Sequence, residues 1–367
     1  MSDSKKKPYW LLVLAAVILI CILLVIFGIN GGKEEPRKVG LILTGESADE
    51  GWNGAHYQGV KSACEQLGVE LLVKENVEEG TGECAKAIDE LVKEEAGMII
   101  LSSYAYPTEV KDTIQKYPEV AFYGISADYY ADNMTSYFGR MYQARYLAGI
   151  LAGMKTESNV IGYVAAMPNS EVNRGINAFT LGVRSANPEA EVHVIWTNEW
   201  ESMENERVAS KKLIEEFGAD LLTYHQNRHW VAQEADAAGV YSIGYNSVAT
   251  GLSDKYLTAA VWDWNALYFQ IIKEYLQGNA NHVKRHWFGI DTGVVTLEEC
   301  SARVDENIRI KLENAERELS EGNKVFSGVI YDNTGVMHCD EGESISDEIL
   351  LEKMNWFVDG VVIHEYE

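Results

Sequence analysis

The sequence predicts an α/β protein with two lobes, each built around a parallel β-sheet. Short apolar runs rich in β-branched residues alternate with segments of helical spacing, which is the pattern of βαβ units. This alternation occurs twice along the 367-residue chain, which is longer than one typical domain. A hydrophobic content of 47% is enough for the cores that two lobes need.

The first block of alternating elements extends from residue 39 to residue 126. Its apolar runs are continuous, as expected of strands that are buried on both faces of a parallel sheet. We predict strands at 39–44, 70–77, 97–103 and 120–126, and helices at 53–67, 84–95 and 108–116.

The second block repeats the pattern after a connecting helix at 141–154. A further strand at 257–264 leads into a helix that ends near Gln277, and that helix is expected to return to the first lobe. We predict strands at 159–166, 192–197, 220–225 and 240–245, and helices at 171–186, 204–217 and 230–238.

The C-terminal part has a different pattern. We predict a charged helix at 304–321, a strand at 325–332, a turn at 333–335, and a short helix at 344–353 that Ser344 or Ser346 caps. The first lobe should comprise residues 39–157 and about 265–290, and the second lobe residues 158–264 and about 291–367. Such lobes are joined by several crossovers of the chain and enclose a cleft.

The N-terminal residues predict a membrane anchor. No charged side chain occurs from Tyr9 to Ile29, and a helix of that length spans the roughly 30 Å hydrocarbon core. Lysines at positions 5–7 keep residues 1–8 in the cytoplasm, so residues 30–38 are a linker and the lobes lie outside the cell. A cleaved signal, or lipidation at Cys21, is the alternative.

Charge and cysteine content narrow the function. A net charge of −25 repels the phosphates of nucleic acids, so no nucleic-acid partner is expected. The cysteines outside the predicted anchor (Cys64, Cys84, Cys300 and Cys339) have no zinc-site spacing, and buried free thiols are the default interpretation. Motifs typical of hydrolases, nucleotide-binding loops and metalloproteases do not occur, so we expect no enzyme, no metal and no cofactor.

Candidate ligand-binding residues follow the predicted strands, where open α/β sheets bind ligands. After the first strand come Asp49, Gly51, Trp52 and Asn53. Gly51 permits a tight turn, and Trp52 offers a flat face on which a planar ligand can stack. An ordinary loop tryptophan that packs on its own lobe is the alternative.

Later strands end in the same way. Ser103 and Tyr104 follow the third strand, although Pro107 nearby is also typical of a turn that starts a helix. Aromatic rings favour flat heterocycles, and amide side chains both donate and accept hydrogen bonds, as the edge of a nucleobase requires. The candidates in the second block are Trp196, Asn198, His225, Asn227, Tyr245, Asn246, Trp262, Asp263 and Trp264.

Several of these segments resemble the basic membrane protein family, the substrate-binding lipoproteins of ABC transporters for purines and nucleosides. The resemblance covers roughly residues 38–362 in order, and is strongest to the branch associated with adenine-like ligands. It rests on DEGW (49–52), ADN (131–133), YFGR (137–140), RGINAF (174–179), WTNEW (196–200), GVYSIGY (239–245), VWDW (261–264), YDNTG (331–335) and NWFVDGV (355–361).

The resemblance implies a type I periplasmic-binding-protein fold whose cleft closes on a purine. It implies that Trp52 stacks on the purine ring. It also implies that His225, Asn227, Tyr245, Asn246 and Trp264 face the ligand. The branch usually has aspartate at the positions of Asn227 and Asn246 and asparagine at that of Asp263. Exchange of an acid for an amide changes which ring nitrogens or hydroxyls of the ligand can form hydrogen bonds with these side chains.

The sequence therefore predicts a membrane-anchored, extracytoplasmic binding protein that delivers a purine base or nucleoside to an ABC permease. A ligand-sensing surface protein without a transport role is a second hypothesis, because a short tether limits diffusion to a permease. A nucleoside-cleaving enzyme is a third.

Overall fold

The computed structural model of the protein describes residues 37–49 and 51–364. The predicted anchor from Tyr9 to Ile29 lies outside that part of the chain. Within residues 37–49 and 51–364, no helix is both long enough and apolar enough to cross a membrane.

The first sheet contains six strands in the described residues. They are β1 Lys38–Ile42, β2 Glu70–Lys74, β3 Ala96–Leu101, β4 Ala121–Ile125, β5 Met134–Gly139 and β11 Arg285–Phe288. Their spatial order is β11-β5-β4-β3-β1-β2, and each neighbouring pair is parallel. β4 and β5 are buried at every residue, because helices cover both faces of the sheet.

The second sheet contains seven strands in the same part of the chain. They are β6 Val160–Ala165, β7 Glu191–Trp196, β8 Leu221–His225, β9 Tyr241–Asn246, β10 Tyr256–Trp262, β12 Val295–Leu297 and β15 Val361–His364. Their order is β12-β10-β9-β8-β6-β7-β15, and β12 runs antiparallel to β10. A separate hairpin pairs β13 Ile330–Tyr331 with β14 Met337–Cys339. The predicted α/β class with parallel sheets is confirmed.

Helices connect these strands. They are α1 Trp52–Leu67, α2 Glu83–Lys93, α3 Tyr106–Glu109, α4 Lys111–Lys116, α5 Met141–Lys155, α6 Ser170–Ala186, α7 Met203–Glu215, α8 Trp230–Ala238, α9 Trp264–Leu276 and α10 Glu306–Ser320. A 3₁₀ turn occupies Ile290–Thr292, and a π-helical turn occupies Ile349–Lys353.

The described chain passes from one sheet to the other three times. It crosses at Arg140 between β5 and α5, at Asp263 between β10 and α9, and again between β11 and β12. α9 packs on α1 beside the first sheet, whereas α5 packs on α6 beside the second. We therefore propose Arg140, rather than residue 157, as the first boundary between the lobes.

The α5–α6 contact is a close approach of two backbones. A Cβ atom on Gly149 would lie 2.0 Å from the carbonyl oxygen of Phe179, and one on Gly182 would lie 2.1 Å from that of Tyr146. Only glycine fits at these positions. The contact fixes the direction in which α5 leaves the first crossover.

Several elements differ from the sequence prediction. No strand was predicted at β5. Its Thr135 and Ser136 are polar and interrupt the apolar pattern expected of a buried strand, although neighbouring elements bury both side chains in the structure. β11, β12, β14 and β15 were also missed. They are short, and pairing with partners distant in sequence defines them.

Some predicted boundaries were wrong. The strand predicted at 257–264 ends at Trp262, because Asp263 caps α9. Of residues 325–332, only Ile330–Tyr331 forms a strand, and the helix predicted at 344–353 begins at residue 347. The cysteines within the described residues are free thiols; Cys300 is partly exposed and the others are buried.

Candidate functional site

A cleft of about 1470 Å³ lies at the carboxyl ends of the strands of both sheets. Thr44, Ser103 and Ser126 follow strands of the first sheet, and Asn227 and Asn246 stand at the ends of strands of the second. The carboxyl edges of both sheets therefore face one space, which is the position where open α/β sheets bind ligands.

Trp52 lines the cleft at the start of α1. Its indole Nε1 donates to the carbonyl oxygen of Ser102 at 2.9 Å, and its ring meets the edges of His56 and Trp264. The side chain remains 39% exposed. The indole is thus held in one orientation while part of its surface stays open to the cleft.

Asp49, Gly51 and Asn53 do not line the cleft; they shape the loop that presents Trp52. The Asp49 carboxylate accepts from the backbone N–H groups of Gly51 and Gly54, each at 2.8 Å, and from the Asn53 amide at 2.9 Å. Burial acts to raise the pKa of Asp49, but these hydrogen bonds hold that pKa below its usual value. Asp49 is therefore a carboxylate occupied within its own loop.

Ser103 and Tyr104 line the cleft beside Trp52. The Ser103 hydroxyl donates to Glu79, and the Tyr104 hydroxyl donates to Asp128 at 2.5 Å. Tyr104 is 59% exposed, so its ring is accessible from the solvent. Both hydroxyls already have carboxylate acceptors.

Trp262 and Trp264 stand at the second crossover. Their rings stack with centroids 4.7 Å apart and planes 13° apart. Trp262 lines the cleft, whereas Trp264 lies behind it, with its ring centroid 4.1 Å from that of His56. Burial lowers the pKa of His56 to about 3, so the imidazole that packs against Trp52 and Trp264 is uncharged.

Asp263, between these two tryptophans, is exposed and does not line the cleft. Its carboxylate accepts from the backbone N–H of Ala266 at 2.9 Å, and so caps α9. Asp263 was predicted as a ligand acceptor. The sequence shows only an aspartate after a strand, and such a residue can either cap the next helix or accept a hydrogen bond from a ligand.

Asn227, Tyr245 and Asn246 line the cleft from the second sheet. Asn246 has a φ of 72°, a left-handed conformation that asparagine tolerates better than most residues. The backbone N–H of Asn227 donates to the carbonyl oxygen of Trp200 at 2.9 Å. That bond joins the loops after β7 and β8 into one wall.

His225 lies directly behind this wall and is only 1% exposed. Its ring centroid is 4.1 Å from that of Tyr245 and 6.0 Å from that of Trp200. Burial lowers the pKa of His225 well below its usual value, and neither ring nitrogen has a hydrogen-bond partner among the described residues. The imidazole is therefore a neutral support for the cleft wall.

Trp196 and Asn198 do not line the cleft. The Trp196 ring packs against Phe357, with centroids 6.1 Å apart. Asn198 is exposed and has a φ of 58°, within the turn that follows β7. That turn brings Trp200, four residues after Trp196, to the cleft instead.

Several aromatic residues that line the cleft were not among the site residues predicted from the sequence: Phe138, Tyr130, Trp200 and Trp287. Phe138 and Trp287 lie on β5 and β11, which were not predicted as strands. Trp200 could have been found, because it belongs to the same loop as Trp196.

The lining is acidic. Carboxylates reach it from Glu78, Glu79, Asp128, Glu171 and Glu352. Among the described residues that line the cleft, the cation is Arg285, which is 3.5 Å from Glu352 and also donates to the hydroxyl of Tyr130. Its guanidinium is thus already paired, which leaves the cleft suited to neutral ligands or ligands rich in N–H groups.

A C-terminal segment completes the mouth of the cleft. Leu351 and Glu352, from the π-helical turn, line the cleft, and Asp347 just before it forms a two-pronged ion pair with Arg140 at 2.9 and 2.6 Å. Arg140 is the residue at the first crossover. The segment is therefore tied to the connection between the sheets. Within residues 37–49 and 51–364, no group of histidine, cysteine and acidic side chains is placed to hold a metal ion.

The family model for "ABC transporter substrate-binding protein PnrA-like" matches residues 37–333 of this chain. The chain belongs to the Bmp family. The predicted relationship to the basic membrane proteins is thereby confirmed. Bmp family members are substrate-binding proteins, which fits a cleft between two parallel sheets.

Two relatives match almost the whole of this Bmp family chain. A purine-binding protein of Brucella abortus is 33% identical over 89% of this chain and 93% of its own length. A putative ABC transporter glucose-binding protein of Haloferax volcanii is 32% identical over 90% of this chain and 82% of its own length.

The fold of this Bmp family member is shared with solved solute-binding proteins. One, an ABC transporter solute-binding protein of Conexibacter woesei, superposes with a TM-score of 0.65. The match has 17% identity and covers 78% of this chain and 97% of the other. The likeness shows a periplasmic-binding-protein-like fold.

Proposed function

We propose that this Bmp family protein is an extracytoplasmic receptor that binds a purine base or nucleoside and delivers it to an ABC permease. The observation that carries the proposal is the set of aromatic rings around one cleft. Trp52 comes from the first sheet, Tyr245 from the second, and Trp262 from a crossover. Rings from both sides can enclose a flat heterocycle when the lobes close.

Stacking supplies most of the affinity in this proposal, at about 1–3 kcal/mol for each base–ring contact. Asn227 and Asn246 supply donors and acceptors at the edge of the ring. The carboxylates of the lining favour N–H and O–H groups and disfavour phosphate. The Brucella relative, a purine-binding protein, supports the same ligand class.

Glucose is the competing ligand, because the Haloferax relative is named for it and aromatic rings with carboxylates also suit sugars. Calorimetry of the full chain against adenine, guanine, adenosine, guanosine and glucose separates the two. We expect saturable binding of a purine and none of glucose. Binding of glucose alone, or of no purine at millimolar concentration, would refute the purine assignment.

We propose that the segment from Tyr9 to Ile29 is an uncleaved anchor that holds the cleft outside the cell. The full chain should then sediment with membranes, keep its N-terminal residues, and be digested by protease added to intact cells. A Cys21→Ser variant distinguishes lipidation, since an uncleaved anchor retains the variant in the membrane. Release of that variant would contradict the proposal.

Delivery to a permease and sensing differ in their consequence for the cell. Deletion of the gene should lower the uptake of the purine that calorimetry identifies, if the protein feeds a permease. Unchanged uptake would favour a sensor. Release of free base from a nucleoside incubated with the protein would instead point to cleavage.

A further inference from the structure

One cleft carboxylate, Glu171, differs from the others in its surroundings. It lies in the first turn of α6, between the capping residue Asn169 and Arg174. Asn169 and Ser170 line the cleft together with it. The backbone therefore fixes its position at the edge of the second sheet, beside Tyr245, whose ionisation it influences.

The other lining carboxylates are either paired or open to the solvent. Glu79 accepts from Ser103, Asp128 accepts from Tyr104, and Glu352 pairs with Arg285. Glu78 is exposed. Each of these groups has a hydrogen-bond donor or bulk water available to it.

Glu171 is half-buried and accepts no hydrogen bond from any residue in 37–49 or 51–364. The nearest cation, Arg174, directs its guanidinium to the carbonyl oxygens of Leu350 and Ser170 at 2.6 and 3.4 Å. Burial raises the pKa of Glu171, and Arg174 opposes that effect. A partly dehydrated acceptor without a donor is costly, and a ligand that brings donors removes this cost.

A carboxylate has two acceptor oxygens side by side, so it matches two adjacent N–H donors. Guanine presents such a pair at ring position 1 and its 2-amino group. Adenine presents a lone pair at ring position 1, which a carboxylate repels. An amide side chain, in contrast, can donate to that lone pair and accept from the 6-amino group.

We propose that Glu171 selects purines of the guanine class, with two adjacent N–H donors, over purines of the adenine class, in contrast to the adenine-like ligands of the branch that the sequence resembles. The inference rests on the proposed purine-binding function. It adds to that function a residue that decides between ligands which stack equally well on Trp52 and its neighbours.

The test is calorimetry of the full chain with guanosine, inosine and adenosine and with the corresponding free bases. Guanine ligands should bind at least about tenfold more tightly than adenine ligands, with inosine or hypoxanthine between them, as expected for one bidentate contact. In Glu171→Gln the ratio should fall by at least about tenfold, through weaker guanine binding and stronger adenine binding.

Glu204→Gln is the matched control, because Glu204 is an exposed acid in the first turn of α7. This variant should keep the wild-type affinities for guanine and adenine ligands, and therefore their ratio. A wild-type protein that binds adenine ligands as well as guanine ligands overturns the inference and leaves purine binding standing. An equal loss of both ligands in Glu171→Gln also overturns it. No binding of any purine to the wild type removes the proposed function itself.

Discussion

Replacement of Trp52 by alanine is the most direct test of the cleft. The indole lines the cleft and is held by the carbonyl oxygen of Ser102 and by the edges of His56 and Trp264. Loss of one base–ring contact costs about 1–3 kcal/mol, which corresponds to about a 5- to 150-fold higher Kd. We expect Trp52→Ala to weaken purine binding within that range.

The same substitution also costs stability. The Trp52 side chain is 39% exposed, so Trp52→Ala loses the burial of roughly 100 Å² of apolar surface that the indole contributes on folding. At about 25 cal/mol per Å² this costs about 2.5 kcal/mol, and the lost hydrogen bond to Ser102 adds about 1 kcal/mol. Typical domains are stable by about 5–15 kcal/mol, so the variant should still fold.

Two measurements separate these effects. Urea denaturation gives the free energy of unfolding, and calorimetry gives the Kd. Trp356 provides the matched control, because its half-buried ring stacks on His338 at 3.8 Å and does not line the cleft. Trp356→Ala should lose similar stability and keep its affinity for purines.

Trp52→Phe adds a graded case, since it keeps a ring and loses the N–H donor. We expect its affinity to fall between those of wild type and Trp52→Ala. An unchanged Kd in Trp52→Ala would show that the indole takes no part in binding. A Kd that rises equally in Trp52→Ala and Trp356→Ala would mean that affinity follows global stability instead.

Three further predictions concern the scaffold. Gly149→Ala should cost about 1–3 kcal/mol in urea denaturation, because its Cβ meets the carbonyl oxygen of Phe179; a neutral effect would contradict the close α5–α6 contact. Burial raises the pKa of Glu206 to about 7, so the folded state binds its proton more tightly and loses stability as pH rises from about 4.5 to 7. The free energy of unfolding of Glu206→Gln, relative to that of wild type, should therefore be about 2 kcal/mol higher at pH 8 than at pH 4, after allowance for screening. Thermal unfolding of both proteins at both pH values checks this. A double-mutant cycle of Arg140→Gln and Asp347→Asn should give a coupling of about 1 kcal/mol, and additive effects would show that the ion pair does not stabilise the crossover.

Local pattern explains why much of the fold was predictable. Strands such as β1 and β3 are short apolar runs between turns, and α6 has regular helical spacing, so each is recognisable without knowledge of its neighbours. β5 contains buried threonine and serine, and β11 has few apolar residues, so only pairing with distant strands defines them. The ring of Trp287 reaches the cleft from such a strand.

The amino-acid sequence by itself determined the α/β class, the family, and the placement of the candidate ligand residues in loops after strands, because these depend on local periodicity and local motifs. Only the tertiary structure decided which side chains face the cleft. Trp196 and Trp200 belong to one loop, yet the turn between them directs the first to Phe357 and the second to the cleft. Asp263 caps a helix, whereas Glu171, in the cleft wall, accepts no hydrogen bond from residues 37–49 or 51–364. The orientation of a loop side chain is set by packing between elements far apart in sequence, and no local pattern encodes that packing.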